Sequence, residues 1–399
     1  MVDILAITSR DACSGCGACV NACPCDAISL TPDEFGFDYP CINEEKCVSC
    51  GKCARACELF QKKELNRPIK AFAVANQDEK IVAGSASGGA FSALAEYVLS
   101  ISGAVCGCVY DDALMPMHIC TEIENDIVRM RKSKYAQSDI GLVYRDILNR
   151  LKGGQTVLFT GTPCQVSGLY SFVGKGFSNL ITADLICHGV PSRLLFKKFL
   201  EYLERKHKTK IISFDFRSKK YGWQRFTMEF QDCRGRKKNI GKLGEFYMDA
   251  FTGGNILRQS CYDCRFACAE RVADFTMGDF WGHNAVELDL DRSKGISVLT
   301  ANTPRALELI EPLSNRLIME EINYEVAVEG NTCLRHPTVR GAKRDLYVRA
   351  VRSGDISDIA KRYRAKNRKK ILRGFIKLHT PMWVINAMNR RKAKRRPKG

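Results

Sequence analysis

The sequence predicts a mixed fold in two parts: a small cysteine-built module of α+β character at the front, and a larger α/β domain behind it. Three observations carry that reading. A run of four cysteines near the start returns with the same spacing thirty-four residues later. Behind it, apolar stretches of strand length alternate with helical patterns. The later cysteines fall at the ends of such stretches, where open α/β sheets gather their ligands.

With 399 residues the chain is long enough for two or three domains, and its 45% apolar content excludes wholesale disorder. Twenty cysteines call for a chemical reason. The opening "MVDILAITSR" lacks the basic start and apolar core of an export signal, and no apolar run approaches the ~18 residues of a spanning helix. The expectation is a cytoplasmic chain in which metal or redox chemistry, rather than a disulfide framework, uses the thiols.

The first cysteine run, "CSGCGACVNACPC", pairs with "CVSCGKCARACE": 13 with 47, 16 with 50, 19 with 53, 23 with 57. Cys-x2-Cys-x2-Cys-x3-Cys is the pattern of bacterial two-cluster ferredoxins. Gly15, Gly17, Ala18, Gly51 and Ala54 let the backbone wrap closely around a cubane. The fourth cysteine of each run reaches the other cluster. Cys13, Cys16, Cys19 and Cys57 are therefore expected to hold one 4Fe–4S centre, and Cys47, Cys50, Cys53 and Cys23 the other. Pro24 follows the pattern; Glu58 stands where the second proline would be. Zinc competes, but structural zinc sites favour two separated Cys pairs. Cys25 and Cys41 fall outside the repeat. This ferredoxin-like domain is assigned residues 1–60, with a linker over 61–70.

Beyond the linker, "AFAVAN", "GAVCGCVY", "QTVLFT", "NLITADLIC" and "KIISFDF" read as strands. "GGAFSALAEYVLS" and "SRLLFKKFLEYLERK" read as helices. The alternation predicts a largely parallel or mixed sheet over residues 71–345. No Gly-x-Gly-x-x-Gly follows a strand and no Walker loop is present, so standard NAD or ATP binding has no support. The turn "GSASGG" before a helix could bring the N–H groups of Gly88 and Gly89 to a phosphate, or it is simply a turn. "RKSKYAQSD" gathers Arg131, Lys132, Lys134, Tyr135 and Gln137, and reads alone as a solvated loop. Cys164 in "GTPCQ" and Cys187 in "LICHG" follow strands, and "SCYDCRFACAE" adds Cys261, Cys264 and Cys268. Two strand-end cysteines plus a Cys-x2-Cys pair make either a third four-thiolate site or a set of reduced core thiols.

The charge of +18 belongs to the end of the chain: residues 361–399 hold 16 Lys and Arg and no acid, leaving 46 basic against 44 acidic residues elsewhere. This region, part of a basic helical tail assigned to 346–399, sets Phe375, Ile376, Trp383, Val384 and Ile385 among cations. It suits an anionic membrane surface, an RNA contact or a solvated end, with nucleic acid the least favoured.

"GTPCQVSGLYSF", "DLICHGVPS", "FRSKKYGW" and "SCYDCRFA…RVADFTMGDFWG" together resemble the coenzyme F420 hydrogenase/dehydrogenase beta-subunit family, over about residues 70–340. The resemblance implies a larger α/β flavin and iron–sulfur domain, with FAD between a 4Fe–4S cluster and a hydride-exchanging partner. It implies that Cys164, Cys187, Cys261 and Cys264 hold that cluster, with Cys268 an addition to the usual pattern. It further implies that Ser87, Gly88 and Gly89, the segment with Lys134, Tyr135, Gln137 and Ser138, and Thr162 line the flavin pocket. Lys134 and Arg217 are candidates for anionic parts of cofactor or substrate, and His188 for a proton donor; each could equally be a surface cation or a structural histidine. The expected function is an iron–sulfur flavoprotein oxidoreductase relaying electrons to a hydride-exchanging substrate. The alternative is a non-catalytic electron-transfer subunit serving a partner enzyme. Members fused in this way also resemble proteins of exopolysaccharide synthesis, which would suit contact with the inner face of a membrane. The expected partner is a redox protein or a soluble hydride carrier.

Overall fold

The computed structural model describes residues 9–61, 64–174, 176–241 and 245–380. Trp383, Val384 and Ile385 lie outside these residues.

The cysteine duplication is also a duplication of backbone conformation. Helix α1 (Ala18–Ala22) follows Gly17 at φ 78°, and α2 (Lys52–Arg55) follows Gly51 at φ 68°. Only glycine takes that left-handed turn without strain. Between the two halves lies an antiparallel hairpin of β1 (Ile28–Pro32) and β2 (Asp38–Ile42).

The larger part carries β3 (Lys70–Asn76), β4 (Ala104–Tyr110), β5 (Pro116–Thr121), β6 (Val157–Gly161) and β7 (Leu180–Leu185). These are followed by β8 (Ile211–Ser218), β9 (Thr227–Asp232), β10 (Lys237–Asn239), β11 (Phe275–Asp279), β12 (Ser297–Ala301) and β13 (Leu317–Ile322). Eight of them form one mixed sheet in the order β13-β3-β12-β11-β7-β6-β4-β5. Its centre, β11-β7-β6-β4, is parallel, and antiparallel strands complete both edges. The central strands read as continuous apolar runs because both faces are covered; every residue of β6 is buried. Helix α3 (Ala90–Ser100) packs Leu94 and Val98 under Val105, Leu158 and Phe275.

A second core departs from the sequence reading. "KIISFDF" does not join the main sheet: β8 pairs with β9 and β10 in a separate antiparallel sheet. Helix α5 (Arg193–His207; α4 is Pro163–Val173) lays Phe196 and Phe199 against Phe214 and Phe216. Phe246 and Tyr247 of α6 (Phe246–Thr252) close the cluster. The expected tail is also shorter than 346–399. Tyr347, Ala350 and Val351 of α7 (Arg344–Ser353), and Ile359, Ala360 and Tyr363 of α8 (Ser357–His379), are buried in this same core. A further difference is a disulfide: Cys106 on β4 and Cys120, directly opposite on β5, are bonded.

The front module is built into the large domain rather than tethered to it. Ala18 is fully buried in one cluster with Ile140, Tyr144, Val166 and Leu169. Arg258, fully buried, donates to the carbonyls of Cys13 (2.7 Å) and Asp38 (2.9 Å) and to Gln137 Oε1 (3.0 Å), and lies over the Tyr39 ring. Arg145 donates to the Asn21 carbonyl (2.8 Å) and Asp26 (2.8 Å). On α4, a Cβ at Gly168 would stand 2.8 Å from Cys16 Sγ. Gly168→Val therefore forces the two parts apart. It should cost about 1–3 kcal/mol by overpacking, read as a lower thermal midpoint, while a Gly154→Ala control at an open turn (φ 82°) should leave the Cys16 environment intact.

Candidate redox site

The front cysteines lie close enough to act on one another. Burial, then the charges of Cys13 and Cys57, pushes Cys19 up to about 12; burial, with Glu58 and Cys13 adding, pushes Cys57 up to about 11. Desolvated thiols that repel one another are a poor arrangement for apoprotein and a fitting one for a cationic iron–sulfur core, which deprotonates its ligands. In the second set Cys23, Cys47, Cys50 and Cys53 line one void of about 30 Å3, together with Cys25. Burial works against the Cys23 thiolate, yet N–H groups including that of Ala27 (3.2 Å) hold its pKa below the ordinary value. Cys53 is among the neighbours whose charge raises Cys19, so the two sets adjoin.

The third group forms where the sheet topology expects a ligand. Cys164 sits in the first turn of α4, directly after β6. Pro163 opens that helix, and Gln165 reaches back to accept from the Thr162 N–H at 3.0 Å. Cys187 follows β7, and Cys261 and Cys264 approach from the loop before β11. That loop is bolted to the sheet by Arg271, which pairs with buried Asp184 at 2.8 Å and donates to the carbonyls of Phe266 and Cys268. Burial, then the Cys264 charge, pushes Cys164 up to about 12, and burial pushes Cys261 up to about 11. Cys187 rises through burial and the charges of Cys261 and Cys164. All four line one large cavity; Cys268 does not, and its Sγ faces the carbonyls of Arg265 and Glu270. Among the described residues no group of three His, Cys, Asp or Glu side chains closes around a point as a single metal ion would need.

The cavity holds about 810 Å3 and runs from these cysteines along the carboxyl ends of β6, β7 and β11 to Trp281. That volume lies in the range of small-molecule and cofactor sites, roughly 300–1,000 Å3. Ser87, Gly89, Lys134, Tyr135, Gln137, Ser138, Thr162, His188 and Arg217 all line it. Gly88 does not. Its N–H goes to Ser297 Oγ (2.9 Å), and a Cβ there would stand 2.2 Å from the Val74 carbonyl. This glycine serves close packing against the sheet, not approach to a phosphate.

Three further candidates are already engaged. Gln137 donates to the Ser14 carbonyl (3.1 Å) and accepts from Arg258, so its amide joins the two parts. Arg217 is buried, pairs with Asp279 at 2.6 Å, donates to Tyr135 OH at 3.1 Å and lies over Phe226. Its charge is matched within the protein. His188 has Nε2 against the Phe251 carbonyl (3.1 Å) and Nδ1 beside Thr338 Oγ1 (3.3 Å); burial lowers its pKa. Both ring nitrogens have structural partners, which counts against a proton-donor role. Lys134 differs. Its ammonium meets the carbonyls of Met130 (3.3 Å) and Arg131 (3.2 Å) and lies 5.4 Å from the centre of the Tyr110 ring, and no carboxylate among the described residues forms a salt bridge with it. It is the lining cation best placed to meet an anionic group.

The sequence reading assigns no role to Trp281, which is 40% exposed and stacked on Trp223 at 5.0 Å with 2° between planes. It offers a flat aromatic wall to a planar ligand. Cys333, also unassigned, lines the cavity 3.6 Å from His188 Nδ1. The first is visible in "GDFWG" without a partner; the second carries no spacing signal.

If Cys264 is a ligand and Cys268 is not, Cys264→Ser should reduce anaerobic iron by about four per chain while leaving the two front centres visible by EPR. Cys268→Ser should retain full iron. Full iron in Cys264→Ser with a loss of about four in Cys268→Ser would move the fourth ligand to Cys268.

Residues 12–59 match the 4Fe–4S dicluster domain, and residues 154–326 match the family described as the C terminus of the coenzyme F420 hydrogenase/dehydrogenase beta subunit. The second match contains Cys164, Cys187, Cys261 and Cys264, whereas Ser87–Gly89 and Lys134–Ser138 precede it. Among solved structures, a chain of the F420-reducing [NiFe] hydrogenase complex from Methanosarcina barkeri is 15% identical, with a TM-score of 0.44. The match covers 68% of this chain and 93% of that one. No curated protein matches the sequence. Two separate stretches of the chain are thus similar to known domains, the first to a 4Fe–4S dicluster domain and the second to the C terminus of the coenzyme F420 hydrogenase/dehydrogenase beta subunit.

Proposed function

We propose that the chain is an iron–sulfur flavoprotein oxidoreductase that relays electrons between its ferredoxin-type clusters and a hydride-exchanging substrate by way of FAD. The observation that carries this reading is the single cavity shared by Cys164, Cys187, Cys261 and Cys264 at one end and Trp281 at the other. FAD would supply the exchange between single electrons and hydride equivalents. The residues supply placement. Lys134 would meet an anionic group of the cofactor, Trp281 would present a flat wall, and the Arg217–Asp279 pair would hold Tyr135 in the lining. Substrate would be a soluble hydride carrier such as a deazaflavin, or a biosynthetic intermediate. A cavity of this size favours a chain that turns over its own substrate over one that only carries electrons to a partner enzyme.

Anaerobic protein should therefore release FAD on denaturation, and reduced ferredoxin or reduced F420 should bleach the bound flavin in a stopped-flow experiment faster than NADPH. Lys134→Met should weaken FAD retention about tenfold, on the order of 1.4 kcal/mol. A protein that binds no flavin, or whose flavin none of the three reduces, would be an electron-carrying subunit.

The proposed setting is the inner face of a membrane, in polysaccharide biosynthesis. No helix among the described residues is long and apolar enough to cross a bilayer. Helix α8, however, exposes Leu372 (58%), Phe375 (58%) and Ile376 (56%) at helical spacing among its cations. Its end is held to the body by Arg225, which donates to the carbonyls of Lys377 (3.1 Å) and Thr380 (3.0 Å). The full chain should sediment with vesicles of phosphatidylcholine and phosphatidylglycerol, and less so at high salt. Leu372→Glu/Phe375→Glu should abolish that binding without loss of iron. These exposed positions make a cleaner test than deletion from 361, which would remove buried Tyr363 from the core.

A further inference from the structure

Between the first and third thiol sets stands a carboxylate that neither set uses as a ligand. Glu58 directly follows Cys57, where the first cysteine run has Pro24. Its side chain is 3% exposed. Arg265, directly after Cys264, donates both to the Glu58 carbonyl and to its carboxylate. Ser14 Oγ donates to the other carboxylate oxygen at 3.2 Å. Glu58 and Arg265 line the same cavity as Cys164 and Cys264.

Geometry places this pair between two of the sets. Glu58 directly follows Cys57, and Arg265 directly follows Cys264. Cys23, Cys47, Cys50 and Cys53 line a separate void that neither Glu58 nor Arg265 lines. Helix α4 keeps the first and third sets close. Gly168, packed on Cys16, is one helical turn from Cys164, a rise of about 6 Å.

We propose that Glu58 and Arg265 form a fixed charge pair that sets the reduction potentials of the first and third iron–sulfur sites relative to the second. The proposal rests on the three-cluster reading above. A cluster that accepts an electron gains negative charge. A buried anion nearby opposes that gain, and a nearby cation favours it, because Coulomb energies fall off slowly at low dielectric. The carboxylate belongs to the front module and the guanidinium to the cysteine loop of the large domain. The two effects offset one another only while the parts are docked.

The test is a potentiometric titration of the anaerobic full chain, with dithionite as reductant and ferricyanide as oxidant, followed by EPR. Glu58→Gln should move the midpoints of the first and third sites upward and leave the second in place. Arg265→Gln should move the same two downward. Glu34→Gln, at an exposed carboxylate paired with Arg352, should move none. No shift, an equal shift at all three sites, or a shift of the same sign in both variants would overturn the proposal. Should Glu58→Gln fail to retain iron, Arg265→Gln decides alone by the same criterion. A wild-type chain with two EPR centres and about eight irons would remove the third cluster. The pair would then be judged on the first site against the second.

Discussion

A guanidinium fully removed from water, that of Arg258, holds the two halves of this molecule in register. Burying a cation costs several kcal/mol unless its donors are all used. Here they reach the carbonyls of Cys13 and Asp38 and the Gln137 amide, with the Tyr39 ring below. The contact to Cys13 is made to its own carbonyl, so the anchor fixes the first cysteine of the dicluster match. Once that contact is set, α4 has no room for a side chain at Gly168, where Cys16 packs one turn along the helix from Cys164. The seam keeps these two cysteines close by excluding any side chain at Gly168.

The other half of the arrangement follows from strand direction. β6, β7 and β11 run parallel, so their carboxyl ends open at one edge. Ligands collect at such edges because the loops that leave them are free of the sheet's hydrogen-bond demands. Cys164 and Cys187 are the first cysteines after two of these ends, and Asp279 closes the third. The loop with Cys261 and Cys264 must still be held over that edge. Arg271 does so by joining Asp184 of β7 to the loop carbonyls.

Much of this is legible in the chain, and the illegible parts share a cause. The front dicluster domain is readable because its cysteine spacing lies within one local run, and residues 12–59 match that domain. The sheet is readable because "QTVLFT" and "NLITADLIC" are apolar throughout, as strands covered on both faces must be. Periodicity reports burial but not partner, so "KIISFDF" looks like another strand of the same sheet. Arg217 looks free because Asp279 stands sixty-two residues away. Gly88 looks like a phosphate loop because its close neighbour, Val74 O, is a backbone atom on another strand. Gln137 reads as a cofactor contact when its amide serves the seam. In each case the deciding contact is long-range and leaves no local pattern.

The order of the thiol sets gives the molecule a direction. The second set is the outermost: Cys50 is exposed, as is its neighbour Val48 at 66%. The first set lies against α4, and the third opens on the cavity. The outer set is open to solvent at Cys50, whereas the third is reached through the cavity. The duplicated motif makes two sites that are alike in ligands, so ligand type cannot rank them along this line. Their surroundings must do so. One site meets solvent; the other adjoins buried Glu58 and Arg258, with the more exposed Arg265 paired to Glu58. Docking thus imposes asymmetry on a symmetric cysteine repeat.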